Sequence, residues 1–219
     1  GRVRAMNGEF SGGTAASMTA TMASLKKKPE LIEVLGNPFS LTGGFEGPQQ
    51  PNDSKPMFDE QLETWVSPFF MAPINSKNIH RSNALLNHQY SKEFCYNEMW
   101  MQGPGDSGKA AAEMIAGANP LANAPQPGEG PSKESRENGN YDILFCADLD
   151  DGSVLNISVK GDMDPGYGST SKMIAESALC IVKDCKDLQG GIYTPAAAMG
   201  EKLISRLEGN AGLTFSEES

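Results

Sequence analysis

The chain has 219 residues, 28 acidic and 18 basic side chains, a net charge of −10 and 38% hydrophobic residues. This length suits one substantial domain, and the acidic balance excludes nucleic acid as a partner because such a surface repels phosphate backbones. No apolar run approaches the roughly eighteen residues of a membrane span, which excludes a transmembrane helix.

The first ten residues, GRVRAMNGEF, lack an apolar signal core and read as the middle of a strand. The chain is therefore expected to be a fragment or processed form of a longer protein. Residues 2–10 give the expected strand and FSGGT a turn. Thr14–Lys27 gives a helix with Ala15, Met18, Thr19 and Met22 on one face. Lys26-Lys27-Lys28 at its end complements the helix dipole. A short helix over Pro29–Leu35 follows, since proline is tolerated in a first turn. Residues 36–67, rich in Gly, Pro, Asn and Asp, are too long for a bare connection and read as a surface excursion with function or disorder. WVSPFFMAPIN, broken by Pro68 and Pro73, reads as extended, wall-lining chain and not as helix.

HRSNALLNH supplies a helical turn or two, FCYNEMWMQ a strand over 94–102, and Lys109–Ala118 a helix. Residues 119–139 form a second Pro/Gly/Ser-rich insertion. The clearest local signal is YDILFCADLDDGSVLNISVK, two β-rich runs joined through Asp-Gly, which predicts a hairpin. GDMDPGYGST is then a tight loop opening a helix over Ser169–Asp184, with Ile174, Ala178, Ile181, Val182 and Cys185 on its apolar face. Thr194 caps a final helix with Pro195 at its first position and Gly209 at its end, and LTF makes a last short strand.

Cys95, Cys146, Cys180 and Cys185 form no C-x-x-C pair and sit in apolar periodic segments, as reduced core cysteines of a cytoplasmic protein do. His80 and His88 read as surface or core-edge residues, and no metal site is expected. GPGDSGKA at 103–110 superimposes three motifs: G-x-G-x-x-G, a phosphate loop and G-D-S-G. Ala110 replaces the magnesium-binding hydroxyl, Asn97 and Glu98 are wrong for a buried parallel strand, and no acid ends a following strand. A Gly/Pro turn with Asp106 or Ser107 capping the next helix accounts for the segment.

Five segments carry a family resemblance in order: Phe10-Ser11-Gly12-Gly13-Thr14, PFFMAPIN, HRSNALL, Asp164-Pro165-Gly166-Tyr167-Gly168 and Thr194–Gly200. From Arg4 to Phe215 the chain resembles the saccharopine dehydrogenase-like oxidoreductases, in their trans-acting enoyl reductase branch. The resemblance implies an α+β fold, with a mixed, largely antiparallel sheet and helices packed on one face, as in dehydrogenase C-terminal domains. It implies one substrate-binding and dimerisation domain over 1–219, with insertions at about 36–67 and 119–139. The N-terminal dinucleotide-binding domain of the family is missing. NAD(P)H would bind through that missing part, with none expected on this chain alone. A homodimer and a small-molecule or acyl substrate are implied as partners.

Helix N-termini with glycine let an anion approach the backbone. Ser11, Gly12, Gly13 and Thr14, and the loop from Asp164 through Gly166 to Thr170, are thus candidate contacts for a carboxylate, thioester oxygen or cofactor phosphate, or else tight strand-to-helix turns. Thr194 joins this set. Tyr167 is the candidate proton donor, or a buried hydrogen-bonded tyrosine. Arg81 pairs with a substrate carboxylate or with an acid at a surface. Phe69, Phe70 and Met71 line an acyl pocket or pack a core. The expected function is the substrate side of an NAD(P)-dependent oxidoreductase; the alternative is a non-catalytic scaffold or lipid-associated interaction domain of the same fold.

Overall fold

The computed structural model describes residues 1–9, 11–119 and 125–218. Phe10, and residues 120–124 of the expected second insertion, lie outside the described residues. In chain order the elements are β1 (Arg2–Asn7), α1 (Gly12–Lys27), α2 (Leu31–Gly36), β2 (Met57–Asp59), β3 (Thr64–Pro68), α3 (Ala72–Leu85), β4 (Met99–Gly103) and α4 (Gly105–Gly117). There follow α5 (Lys133–Asn138), β5 (Asn140–Asp148), β6 (Val154–Gly161), α6 (Gly168–Lys183), α7 (Pro195–Met199), α8 (Glu201–Asn210) and β7 (Leu213–Glu218).

The strands make a seven-stranded sheet in the order β2-β3-β4-β1-β5-β6-β7. Only β1 and β4 run parallel; every other neighbouring pair is antiparallel. The fold is α+β with a mixed, largely antiparallel sheet, as expected. The β5–β6 hairpin closes through a loop in which Gly152 takes φ +83° and the Asp151 carboxylate accepts the Ser153 amide at 2.9 Å. Only glycine adopts that φ cheaply, which is why Asp-Gly reads as a turn.

Alternation along the last strands separates two faces. Val159, Leu213 and Phe215 pack with Cys180, Met199, Leu203 and Leu207 of α6, α7 and α8. On the opposite face Arg4, an extra residue at a bulge of β1 against β5, forks onto Asp142 at 2.8 Å and Glu218 at 2.7 Å. Lys160 completes the network at 3.7 Å from Asp142 and 3.6 Å from Glu218.

Several expectations are corrected. WVSPFFMAPIN does not stay extended: α3 starts at Ala72 and runs through HRSNAL. Pro73 falls in its first turn, where the missing N–H has no helical partner to lose. The excursion at 36–67 contains β2 and the start of β3, and Phe39 is buried against His80 with ring centroids 4.5 Å apart. Within the second insertion, residues 133–138 form α5. On α6 most of the expected apolar face points outward, with Ile174 70% and Val182 73% exposed, while Cys185 just past the helix is buried. The face turned inward carries Ser169, Met173 and Cys180, because Tyr141 Oη meets Ser169 Oγ at 2.9 Å and Cys180 enters the core. The expected face of α1 is not buried either: Gly12 is the one buried residue of that helix.

Thr194 makes no side-chain capping bond; its Oγ1 accepts from Ser82 at 2.7 Å. The final helix is split at Gly200, which takes φ +50°, so Gly209 lies inside α8 and does not end it. In 103–110 neither Asp106 nor Ser107 caps; Pro104 holds that position without a side-chain bond. Cys180 and Cys185 are buried, but Cys95 is exposed and Cys146 half-buried.

Candidate functional site: an apolar cleft at the start of α1

Where β1 ends, in the middle of the sheet, the chain leads through Gly8 and Glu9 towards α1. Ser11 caps that helix: its Oγ accepts the Thr14 amide at 2.9 Å and lies 2.9 Å from Thr14 Oγ1. This capping bond satisfies one of the amides a helix start leaves unpaired. Beside it opens a cleft of about 520 Å³. Phe69, Phe70 and Met71, between β3 and α3, form one wall, with Trp100 of β4 behind them. Ile115, Ala116 and Ala118 at the end of α4 form the other, and Pro165 and Gly166 close the rim.

The aromatic wall is built by edge contacts: Phe69 and Phe70 have centroids 5.0 Å apart, Phe69 and Trp100 6.4 Å apart. Beneath it Val3, Phe69 and Ala72 are buried together. A concave apolar surface of this size with two hydroxyl side chains, Ser11 and Thr14, in its lining suits a hydrocarbon chain bearing a polar head.

A second, polar groove of about 690 Å³ is lined by the loop 128–131 and by Tyr167, Gly168, Ser171, Lys133, Arg136 and Lys172, among others. Tyr167 lines the polar groove and is the chain neighbour of Gly166, which lines the apolar one. A Cβ placed on Gly13 would be 3.6 Å from its hydroxyl, and one on Gly130 would be 3.1 Å from its ring. Gly12 is held still more closely, its amide donating to the Glu129 carbonyl at 3.0 Å.

Among the residues singled out from the sequence, Ser11, Thr14, Gly166, Phe69, Phe70 and Met71 converge on the apolar cleft, and Gly12 and Gly13 lie beside it. Tyr167 is 44% exposed and faces the polar groove, so it is not the buried tyrosine of the alternative. Asp164 is fully buried, and its carboxylate is taken up by the amides of Gly166, Tyr167 and Gly168 at 2.9, 2.9 and 2.6 Å. It shapes the loop and presents nothing to a ligand. Arg81 lines neither groove and, among the described residues, pairs with no acid: it donates to the carbonyls of Leu41 at 2.7 Å and Ile192 at 2.8 Å. Thr194 is likewise bound up with Ser82.

The chain is similar to a protein of Mycobacterium tuberculosis (strain ATCC 25618 / H37Rv) provisionally named a trans-acting enoyl reductase, with 33% identity over 236 residues, 94% of this chain and 56% of the relative. A trans-acting enoyl reductase of Mycobacterium ulcerans (strain Agy99) is 30% identical over 90% of this chain and 54% of its own length. One of Mycobacterium bovis (strain BCG / Pasteur 1173P2) is 28% identical over 91% and 54%. The relatives are named as enoyl reductases. The chain spans about half the length of the curated relatives it matches. No family model and no solved structure matches it. Among the described residues no helix is long and apolar enough to cross a membrane.

Trp100, Met6 and the α4 residues of the cleft were not marked by any sequence signal. They come from separate elements, and only the parallel pairing of β1 with β4 brings them to α1.

Proposed function

We propose that this chain is the substrate side of a reductase of the saccharopine dehydrogenase-like kind, and that the apolar cleft holds the hydrocarbon part of an α,β-unsaturated acyl thioester. The observation that carries this reading is the cleft itself, an aromatic and aliphatic surface with Ser11 and Thr14 in its lining. The names of the relatives support it.

The reductant in such a reaction is NAD(P)H, which supplies hydride to the β-carbon of the enoyl group. The G-x-G-x-x-G string at 103–108 does not fit a dinucleotide. A Cβ on Gly108 would fall 1.9 Å from the Gly103 carbonyl oxygen, so that glycine serves close packing of α4 on the turn and offers no cradle to a phosphate. In this reading the cofactor binds a part of the natural protein outside these residues. This chain's own share is to bind the acyl group, orient its double bond and keep water from it.

The test uses the full natural protein with NADPH or NADH and a long-chain 2-enoyl thioester, following loss of reduced nicotinamide and formation of the saturated product. Ala116→Trp, which fills the cleft from an exposed position, is expected to abolish turnover while leaving cofactor binding and thermal stability unchanged. Failure of the full protein to bind either cofactor would overturn the reading.

A further inference from the structure

The polar groove beside the cleft gathers three cations on one surface. Lys133, Arg136 and Lys172 line it, in a molecule whose net charge is −10. Two of the three are loosely matched: Lys133 lies 3.6 Å from Glu137 and Lys172 lies 3.7 Å from Asp162, both at exposed positions where pairing is weak. The Arg136 guanidinium is half-buried and makes, among the described residues, one hydrogen bond, Nη1 to the Pro131 carbonyl at 2.9 Å, and no ion pair. Its remaining N–H groups suit an anion with several acceptor oxygens. The groove also holds acids. Glu137 pairs with Lys133, while Glu129 turns its carboxylate onto the Gln126 amide at 3.1 Å.

The two grooves share the short loop 165–168: Pro165 and Gly166 line the apolar one, Tyr167 and Gly168 the polar one. A single ligand crossing this loop would place a hydrocarbon chain on one side and an anionic group on the other, with the Tyr167 hydroxyl beside its middle. Among the described residues that hydroxyl makes no hydrogen bond. A phosphopantetheine thioester has this layout, an acyl chain joined through an uncharged, amide-bearing arm to a phosphate.

We propose that Lys133, Arg136 and Lys172 bind the phosphate of a phosphopantetheine thioester whose acyl chain occupies the apolar cleft. This rests on the reading of the cleft as an acyl site. The phosphate belongs either to free coenzyme A or to a carrier protein, and the chemistry recognised is the same.

The experiment measures binding by the full natural protein of three ligands with one long acyl chain: the coenzyme A thioester, a carrier-protein thioester and the phosphate-free pantetheine thioester. The Lys133→Ala/Lys172→Ala double variant, altered only at solvent-facing amines, and Arg136→Gln are compared with the parent. Each is expected to weaken a phosphate-bearing thioester roughly tenfold and to flatten its salt dependence, with the pantetheine thioester unchanged. Which of the two phosphate-bearing ligands responds identifies the source. Equal binding of all three ligands by parent and variants overturns the phosphate site and leaves the acyl cleft standing. Binding of none of them overturns the acyl reading itself. Variants that weaken NADPH and not the thioester overturn the assignment in favour of the cofactor.

Discussion

The buried Asp164 carboxylate accepts the Gly168 amide at 2.6 Å and so fixes the start of α6, with Gly166 and Tyr167 donating to its other oxygen. Three amides converge on one side chain because the DPGYG loop must turn sharply between β6 and α6. Asp164→Ala leaves the buried Gly168 amide, and the part-buried amides of Gly166 and Tyr167, without this partner, at a cost of about 3 kcal/mol. Urea denaturation should show that loss, and the signals of Tyr167 and Ser171 should broaden or shift in heteronuclear spectra. A variant as stable as the parent would contradict the role given to Asp164.

Acid should weaken the outer face of the sheet. The Arg4 guanidinium, hydrogen-bonded to Glu218, holds that carboxyl at about 2, against an ordinary 4.5. A carboxyl depressed by folding stabilises fully above its unfolded value and loses that contribution as pH falls towards the folded one. The network's contribution is therefore present above about pH 4.5 and disappears towards pH 2. Glu218→Gln should flatten the pH dependence of the melting temperature across that window and leave it alone above neutrality.

Glu98 behaves in the opposite sense. Burial raises its carboxyl above the ordinary 4.5, opposed by Asn75 Nδ2, which donates to its two oxygens at 3.2 and 2.9 Å. A carboxyl raised by folding stabilises most below its unfolded value and counts against the fold as pH rises through the folded one. Glu98→Gln keeps an acceptor for Asn75 and removes the charge. It should melt higher than the parent at pH above neutrality, with the difference closing as the solution is acidified through the carboxylate range.

Gly12 leaves no room for a side chain: a Cβ would lie 1.9 Å from the Gln126 carbonyl oxygen. Gly12→Ala must displace the loop 125–131 from α1, and limited proteolysis should cut that loop sooner than in the parent. The expected loss of stability is about 2 kcal/mol, since a main-chain atom must move. Gly13→Ala is the control, because its nearest neighbours would sit at an ordinary 3.6 Å.

What could be read from the sequence was what local chemistry decides. The β5–β6 hairpin follows from alternation and Asp-Gly, and the existence of most helices from their apolar content and the turns around them. The inward face of α6 could not be read that way. Its strongest apolar stripe, Ile174 with Val182, is exposed, and the helix is rotated by contacts with Tyr141 and the core around Cys180. Pro73 looked like a breaker because its place in a first turn depends on where α3 begins. In the candidate site, Ser11, Thr14 and Phe69–Met71 were visible as a capped helix start and an aromatic run. Trp100 and Ile115 were not, since their neighbours are distant in the chain. Asp164 and Arg81 stood out by charge, yet both spend that charge on backbone groups, which composition does not reveal.

The sheet order puts the earliest strand, β1, between β4 and β5, with three strands on either side. The β5–β6 hairpin needs only short-range pairing and β7 joins it across α6, α7 and α8, whereas joining β1 to β5 closes a loop of well over a hundred residues in this chain. Such closure is entropically slow, so the two halves are expected to assemble first and to be zipped together last. Pulse-labelling hydrogen exchange during refolding should find the β5–β6 amides protected before those of β1, and the reverse order would refute this sequence of events.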